Sequence, residues 1–204
     1  RFFDGKLSPM MQTNRGCPFH CTFCADGKDE VNQVNNFSIE RVKEELDYIV
    51  KHKHKDTRNM IFSDLNFGMY PRDQEIAKYI YDIQLKHHYP DFIYISTGKN
   101  QKEKVISAIE LLKDSMPLWM SVQSLDKDVL KNIRRDNIST DHMLALYPAI
   151  KAANLQTRAE VILGLPGETH ENHMTTIREL IQARMDEIQV HTCMLLDGSE
   201  MGTP

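Results

Sequence analysis

Short apolar runs alternate with amphipathic stretches along the whole chain, and nothing else in the sequence constrains the fold as strongly. Six apolar runs read as strands, over 9–13, 60–63, 92–97, 118–123, 157–163 and 188–196. Helical stretches lie over 38–52, 73–87, 101–114, 126–133, 141–153 and 169–184. In the first of them Ile39, Val42, Leu46, Ile49 and Val50 fall on one helical face, and Ser38 is placed to cap its start. Strands separated by helices pair in parallel. A closed eight-unit barrel usually takes ~250 residues, and the chain has 204. The expected fold is α/β: an incomplete (β/α)6 TIM-like barrel with a parallel sheet, forming one domain over 1–204.

Twenty-five Lys and Arg against 29 Asp and Glu give a net charge of −4, so no broad nucleic-acid-binding face is indicated. No apolar run is long enough to span a membrane, and no secretory signal is visible, so a cytoplasmic protein is expected. The chain begins at Arg1 rather than Met and reads as a piece of a longer protein.

Three of the four cysteines, Cys17, Cys21 and Cys24, crowd into one loop after the first strand, and Cys193 stands apart. A secreted disulfide framework would be denser. Thiolates bind soft metals and iron–sulfur clusters, and a four-iron cluster normally takes four Cys ligands. Three ligands leave one iron open, as in metal sites that do chemistry rather than brace a fold. A zinc knot completed by His20 or Cys193 is the competing reading. It fits less well, because zinc sites favour two short ligand pairs and His20 adjoins Cys21.

Strand alternation adds polar residues to the barrel interior. If Val161 and Leu163 face the helices, then Arg158, Glu160 and Ile162 face inward. By the same rule Trp119, Ser121 and Gln123 point inward from the fourth strand, and Tyr94 and Ser96 from the third. His191 and Cys193 share a face, taken as inward. Such a lining suits a cofactor cavity, although Arg158 and Glu160 could instead form a structural ion pair. The remaining histidines, His170 and His173 included, read as surface residues, and Cys193 as a small core residue.

Cys-x3-Cys-x2-Cys with an aromatic before the last Cys resembles the cluster loop of radical S-adenosylmethionine (radical SAM) enzymes. Asn14-Arg15-Gly16 and Gly164-Leu165-Pro166-Gly167-Glu168-Thr169 resemble its methylthiotransferase and cobalamin-associated branch. The resemblance implies that Cys17, Cys21 and Cys24 hold a [4Fe-4S] cluster whose open iron chelates S-adenosylmethionine. Electron transfer then cleaves the sulfonium and releases a 5′-deoxyadenosyl radical that takes hydrogen from the substrate. It implies that Gln123 and Glu160 contact the ribose and that Arg135 binds the cofactor carboxylate, where a guanidinium fork fits well. A solvated helix-end cation is the alternative for Arg135. Asp64 and Asn66 stand where the family holds the cofactor's amino group, although they could equally form an Asx turn. Phe23 either packs near the adenine or fills core, and Ser96 joins the cofactor contacts from its inward position.

The resemblance further implies an oxygen-sensitive enzyme served by an electron donor such as flavodoxin or ferredoxin. Its reaction would be methylation or methylthiolation of a small or macromolecular substrate the sequence does not identify. Cobalamin would come from a domain outside this chain. The competing functional class is an iron–sulfur electron-transfer or redox-sensing module without catalysis. The inward polar set argues against it.

Overall fold

The computed structural model describes residues 3–98, 102–135 and 140–203. Their contacts group into two compact units. One comprises Arg1–Arg15, Asn35–Leu118 and Ala153–Gln156, the other Gly16–Val34, Trp119–Ala152 and Thr157–Pro204.

The first unit runs β1 (Met10–Met11), β2 (Asn14–Arg15), β3 (Asn35–Asn36), α1 (Ile39–His52), β4 (Asn59–Phe62), α2 (Pro71–His87), β5 (Phe92–Tyr94) and α3 (Lys102–Ile109). Strands β1, β4 and β5 form a parallel sheet in that order, with Met11 opposite Phe62 and Met60 opposite Ile93. Those four side chains are buried. Helix α1 buries Val42, Leu46 and Ile49, three of its expected stripe, and Ser38 caps it by accepting from the Arg41 N–H at 3.2 Å. Helix α2 starts on Pro71, whose missing N–H costs nothing at that position, and buries Ile76, Ala77, Ile80 and Ile83.

The expected first strand shrinks to Met10–Met11, because the chain then joins an antiparallel pair, β2 with β3, that the sequence did not announce. Its residues, Asn14, Arg15, Asn35 and Asn36, carry no apolar alternation to betray it. The expected third strand ends at Tyr94, with a separate bridge from Phe67 to Thr97. Gln101, the expected start of α3, lies outside the described residues, and a 3-10 turn over Glu110–Leu112 follows that helix.

The second unit contains β6 (Leu118–Gln123, from Trp119 on), α4 (Lys127–Asn132), α5 (Thr140–Ala152), β7 (Thr157–Leu163), α6 (His170–Gln182) and β8 (Glu187–Thr192). The sheet order is β6-β7-β8, and β7 pairs with β8 in parallel from Arg158 opposite Glu187 to Leu163 opposite Thr192. The expected alternation holds in β6, where Leu118, Met120 and Val122 are buried and Trp119 and Ser121 half-buried. It holds in β7 for Ala159 and Val161 against Arg158, Glu160 and Ile162. Leu163 departs from it. It is 45% exposed rather than packed on helices, at the strand's last residue before the turn at Gly164. The α/β class and the incomplete (β/α)6 order read from the sequence stand, with a three-stranded sheet in each unit. No helix among the described residues is long and apolar enough to cross a membrane.

Asp73, fully buried in the first turn of α2, accepts from the Gly68 and Tyr70 N–H groups at 2.8 and 3.1 Å. Burial pushes its carboxyl up to about 6, against the pull of those two bonds. The folded chain therefore holds this proton more tightly than the unfolded chain, whose Asp titrates near ~3.9. The stabilisation is complete below about pH 4 and is lost as pH rises through about 6. Asp64 shifts in the same direction through burial. Asp73→Asn should remove part of the fall in stability between about pH 4 and pH 6, on the order of 2–3 kcal/mol. Urea midpoints of both proteins across that range measure it, and parallel profiles would refute it.

Candidate active site

The cysteine loop is shaped by two glycines. Gly16 has φ +98°, and a Cβ there would come within 2.1 Å of the Gln33 carbonyl oxygen. At Gly27 a Cβ would lie 2.3 Å from the Cys21 carbonyl oxygen. Between them the Cys17 N–H donates to Val31 O (3.2 Å), Cys24 N–H to Cys21 O (3.1 Å) and Gly27 N–H to Cys24 O (3.1 Å). Cys17 and Cys21 are buried, Cys24 half-buried, and none of them is in a disulfide. Among the described residues no three His, Cys, Asp or Glu side chains are gathered onto a single-ion site.

Arg135 follows α4 and is only 5% exposed, so the solvated-cation reading falls. Its Nη1 lies 3.5 Å from Cys21 Sγ, and its Nη2 donates to the Ser121 carbonyl. That places a buried guanidinium directly beside one of the three loop sulfurs. The Ser121 hydroxyl in turn donates to Glu160, and the other Glu160 oxygen lies 3.8 Å from His191 Nε2. Cys21, Arg135, Ser121, Glu160 and His191 thus form one polar chain from the loop across β6, β7 and β8. The suggested Arg158–Glu160 pair does not form. Arg158 instead binds Glu187 at 2.6 Å and lies over the Trp119 ring at 4.5 Å.

Gln123 ends β6 in the left-handed region, at φ +64°, where only glycine is comfortable. It is 9% exposed, and its Oε1 has no hydrogen-bond partner among the described residues. A buried carbonyl left unpaired costs about 1–3 kcal/mol, so the position suits a ligand that donates a hydrogen bond. Phe23 packs on the core cluster of Val129, Ile133 and Leu165, so its core-filling role is real.

Beyond β7, Gly164 turns at φ +86° and donates its N–H to Glu168 Oε2 at 2.6 Å. The other Glu168 oxygen lies 3.0 Å from His173 Nδ1. His173 is 8% exposed, which corrects its placement on a helix surface. The signal for this pair was a glutamate just before the Thr169 cap with a histidine in the first turns of α6. Cys193 packs on the same core, with its thiol pushed up by burial and by the Glu168 carboxylate.

Three predicted residues belong to the first unit. Asp64 accepts from the Thr13 N–H (2.7 Å), the Thr13 hydroxyl and Asn14 Nδ2 (3.2 Å), so its carboxylate ties the chain beyond β1 to the chain beyond β4. The sequence reading gave Thr13 to the first strand and Asn14 to a family motif, without foreseeing that both bind Asp64. Asn66 is buried, and Ser96 is exposed with its carbonyl accepting from the Phe67 N–H at 3.0 Å.

Residues 11–180 match the family model described as the Radical SAM superfamily, and the chain belongs to that superfamily. A 2-(S-pantetheinyl)-carbapenam-3-carboxylate methyltransferase of Streptantibioticus cattleyicolor is 32% identical over 205 residues, 98% of this chain and 30% of the relative. The cobalamin-dependent radical SAM methyltransferase TokK of Streptomyces tokunonensis is 32% identical over 199 residues, 96% of this chain and 29% of TokK. The chain therefore spans about a third of the length of these curated relatives. The fold is shared with the radical S-adenosylmethionine methyltransferase TsrM from Kitasatospora setae, solved with cobalamin and a [4Fe-4S] cluster bound. The TM-score is 0.75 at 12% identity, covering 96% of this chain and 36% of TsrM.

The residues present fit the groups this family implies. Three thiols on one loop, none in a disulfide and one beside a buried cation, are a donor set for an iron–sulfur cluster. The orphaned Gln123 Oε1 is an acceptor awaiting a donor such as a ribose hydroxyl. Gly27→Ala should drive its Cβ against Cys21 O and lower iron incorporation while leaving the far-ultraviolet circular dichroism unchanged. Iron content equal to wild type would show that the loop tolerates the extra carbon.

Proposed function

We propose that this chain is the catalytic core of a radical SAM methyltransferase. The polar chain joining Cys21, through Arg135 and Ser121, to Glu160 carries the reading, because it ties the cysteine loop to the acidic residue that the family resemblance assigns to the cofactor ribose. Cys17, Cys21 and Cys24 hold the [4Fe-4S] cluster. When bound there, the cluster would supply the one-electron reduction that cleaves the sulfonium of S-adenosylmethionine.

The chain's own residues bind, orient and exclude water. Arg135 packs against the Cys21 sulfur and offers its guanidinium to the cofactor carboxylate. Glu160, fixed by Ser121, accepts from the ribose hydroxyls, and Gln123 offers its buried carbonyl to the same sugar. Phe23 turns its exposed edge towards the adenine. Asp64, Asn66 and Ser96 are proposed as further cofactor contacts on the family resemblance alone. Orientation of this kind is where much of such an enzyme's rate comes from.

Methyl transfer is the net reaction favoured by the two relatives, both named methyltransferases. Cobalamin, named for TokK and TsrM, would be carried here by a domain outside these residues. The electron donor is a flavodoxin- or ferredoxin-like protein, and the setting is the cytoplasm.

Electron paramagnetic resonance of the anaerobically reconstituted, reduced protein tests the proposal. The expected result is a four-iron signal that shifts on adding S-adenosylmethionine. Cys17→Ala, Cys21→Ala or Cys24→Ala should each abolish the signal, and Cys193→Ala should keep it. A signal indifferent to the cofactor would leave the protein an electron carrier, and zinc in place of iron would end the radical reading.

A further inference from the structure

The segment after β8, residues 196–203, folds into a self-locked turn. Ser199 is fully buried; its hydroxyl donates to Leu196 O (2.8 Å) and accepts from the Gly202 N–H (3.0 Å). The Thr203 hydroxyl donates to Ser199 O at 2.8 Å. Only glycine fits at 202, because a Cβ there would lie 2.1 Å from Leu196 O.

This turn bonds the cysteine loop directly at one point and its immediate supports at two more. The Met201 N–H donates to Thr22 O at 3.0 Å. Glu200 pairs with Arg134 Nη1 at 2.7 Å, one residue before the Arg135 that contacts Cys21. Met201 packs with Phe23 on the Val129, Ile133 and Leu165 cluster. From its other side Thr22 donates its N–H to Ile133 O at 3.2 Å. The peptide that follows Cys21 is therefore clamped between the end of α4 and the 196–203 turn. A cavity of ≈ 640 Å³ reaches Cys21 here, and Arg134, Glu200 and Thr203 form part of its wall.

We infer that residues 196–203 are a strap that positions the cysteine loop and limits access to the cluster through this cavity. Glu200, Met201 and Gly202 are positioning residues, acting on Cys21 and Cys24 through Thr22 and Arg134. The inference rests on the cluster assignment above. Loosening the strap should release Cys21 and Cys24 from their fixed geometry and let a chelator reach the iron.

Two readouts test it in the full chain. The first is anaerobic loss of cluster absorbance to an iron chelator. The second is amide hydrogen exchange at residues 22–24 in the iron-free protein. Glu200→Ala and Arg134→Ala, both at exposed side chains, should fold as wild type and lose iron about two- to five-fold faster, the range an exposed ion pair spans. The swapped pair Arg134→Glu with Glu200→Arg should restore the wild-type rate, and Gly202→Ala should lose iron faster than either single variant. Single variants matching wild type in both readouts, or a swap no better than they are, would overturn the strap. A wild type that assembles no cluster would defeat the cluster assignment instead. The strap would then stand or fall on amide exchange alone, faster in the variants if it is real and unchanged if it is not.

Discussion

A buried guanidinium has to be compensated, and Arg135 is compensated by the loop that defines the site. An unpaired charge at 5% exposure would cost several kcal/mol. Its partners are the Cys21 sulfur and the Ser121 carbonyl, so the cation fixes the cysteine loop against β6. Ser121 passes that constraint on to Glu160, and Glu160 sits in a β7 that pairs residue by residue with β8. The cysteine loop, strand β6 and the acidic side chain of β7 are thus linked in series through one buried cation.

Unfavourable local choices gather near the same place. Gln123 takes a left-handed backbone and leaves a buried oxygen unpaired. Neither feature helps folding, and both stand at a strand end where ligands bind in α/β folds. Asp73 in the first unit is a different kind of cost. It is a carboxylate that satisfies two backbone donors at a helix start and accepts a raised pKa through burial. The first is a local backbone and hydrogen-bonding cost at a strand end, the second a buried carboxylate that holds a turn.

Much of this was legible where a residue's role depends on its neighbours in sequence. The 118–123 and 157–163 strands, the Ser38 cap and the inward parity of Ser121 and Glu160 follow from period-two and period-3.6 patterning and from hydroxyl capping. The cysteine triplet was legible for the same reason, since its spacing is local. His173 was misread because helix faces were judged without knowing that Glu168 lay beneath one of them. Arg158 was matched to the wrong acid, because β8 brings Glu187 directly opposite it. The double engagement of Asp64 by Thr13 and Asn14 depends on a parallel pairing between segments some 50 residues apart.

By itself the sequence determined the β/α order, the parallel strands, the three thiols and the polar faces of the strands, since each follows from short-range spacing and side-chain chemistry. Only the tertiary structure decided which charges are buried and which partners they take. It placed Arg135 on Cys21, Arg158 on Glu187 and the 196–203 turn on Thr22. Those outcomes depend on contacts between distant segments, whose energies appear only once the sheets bring the segments together.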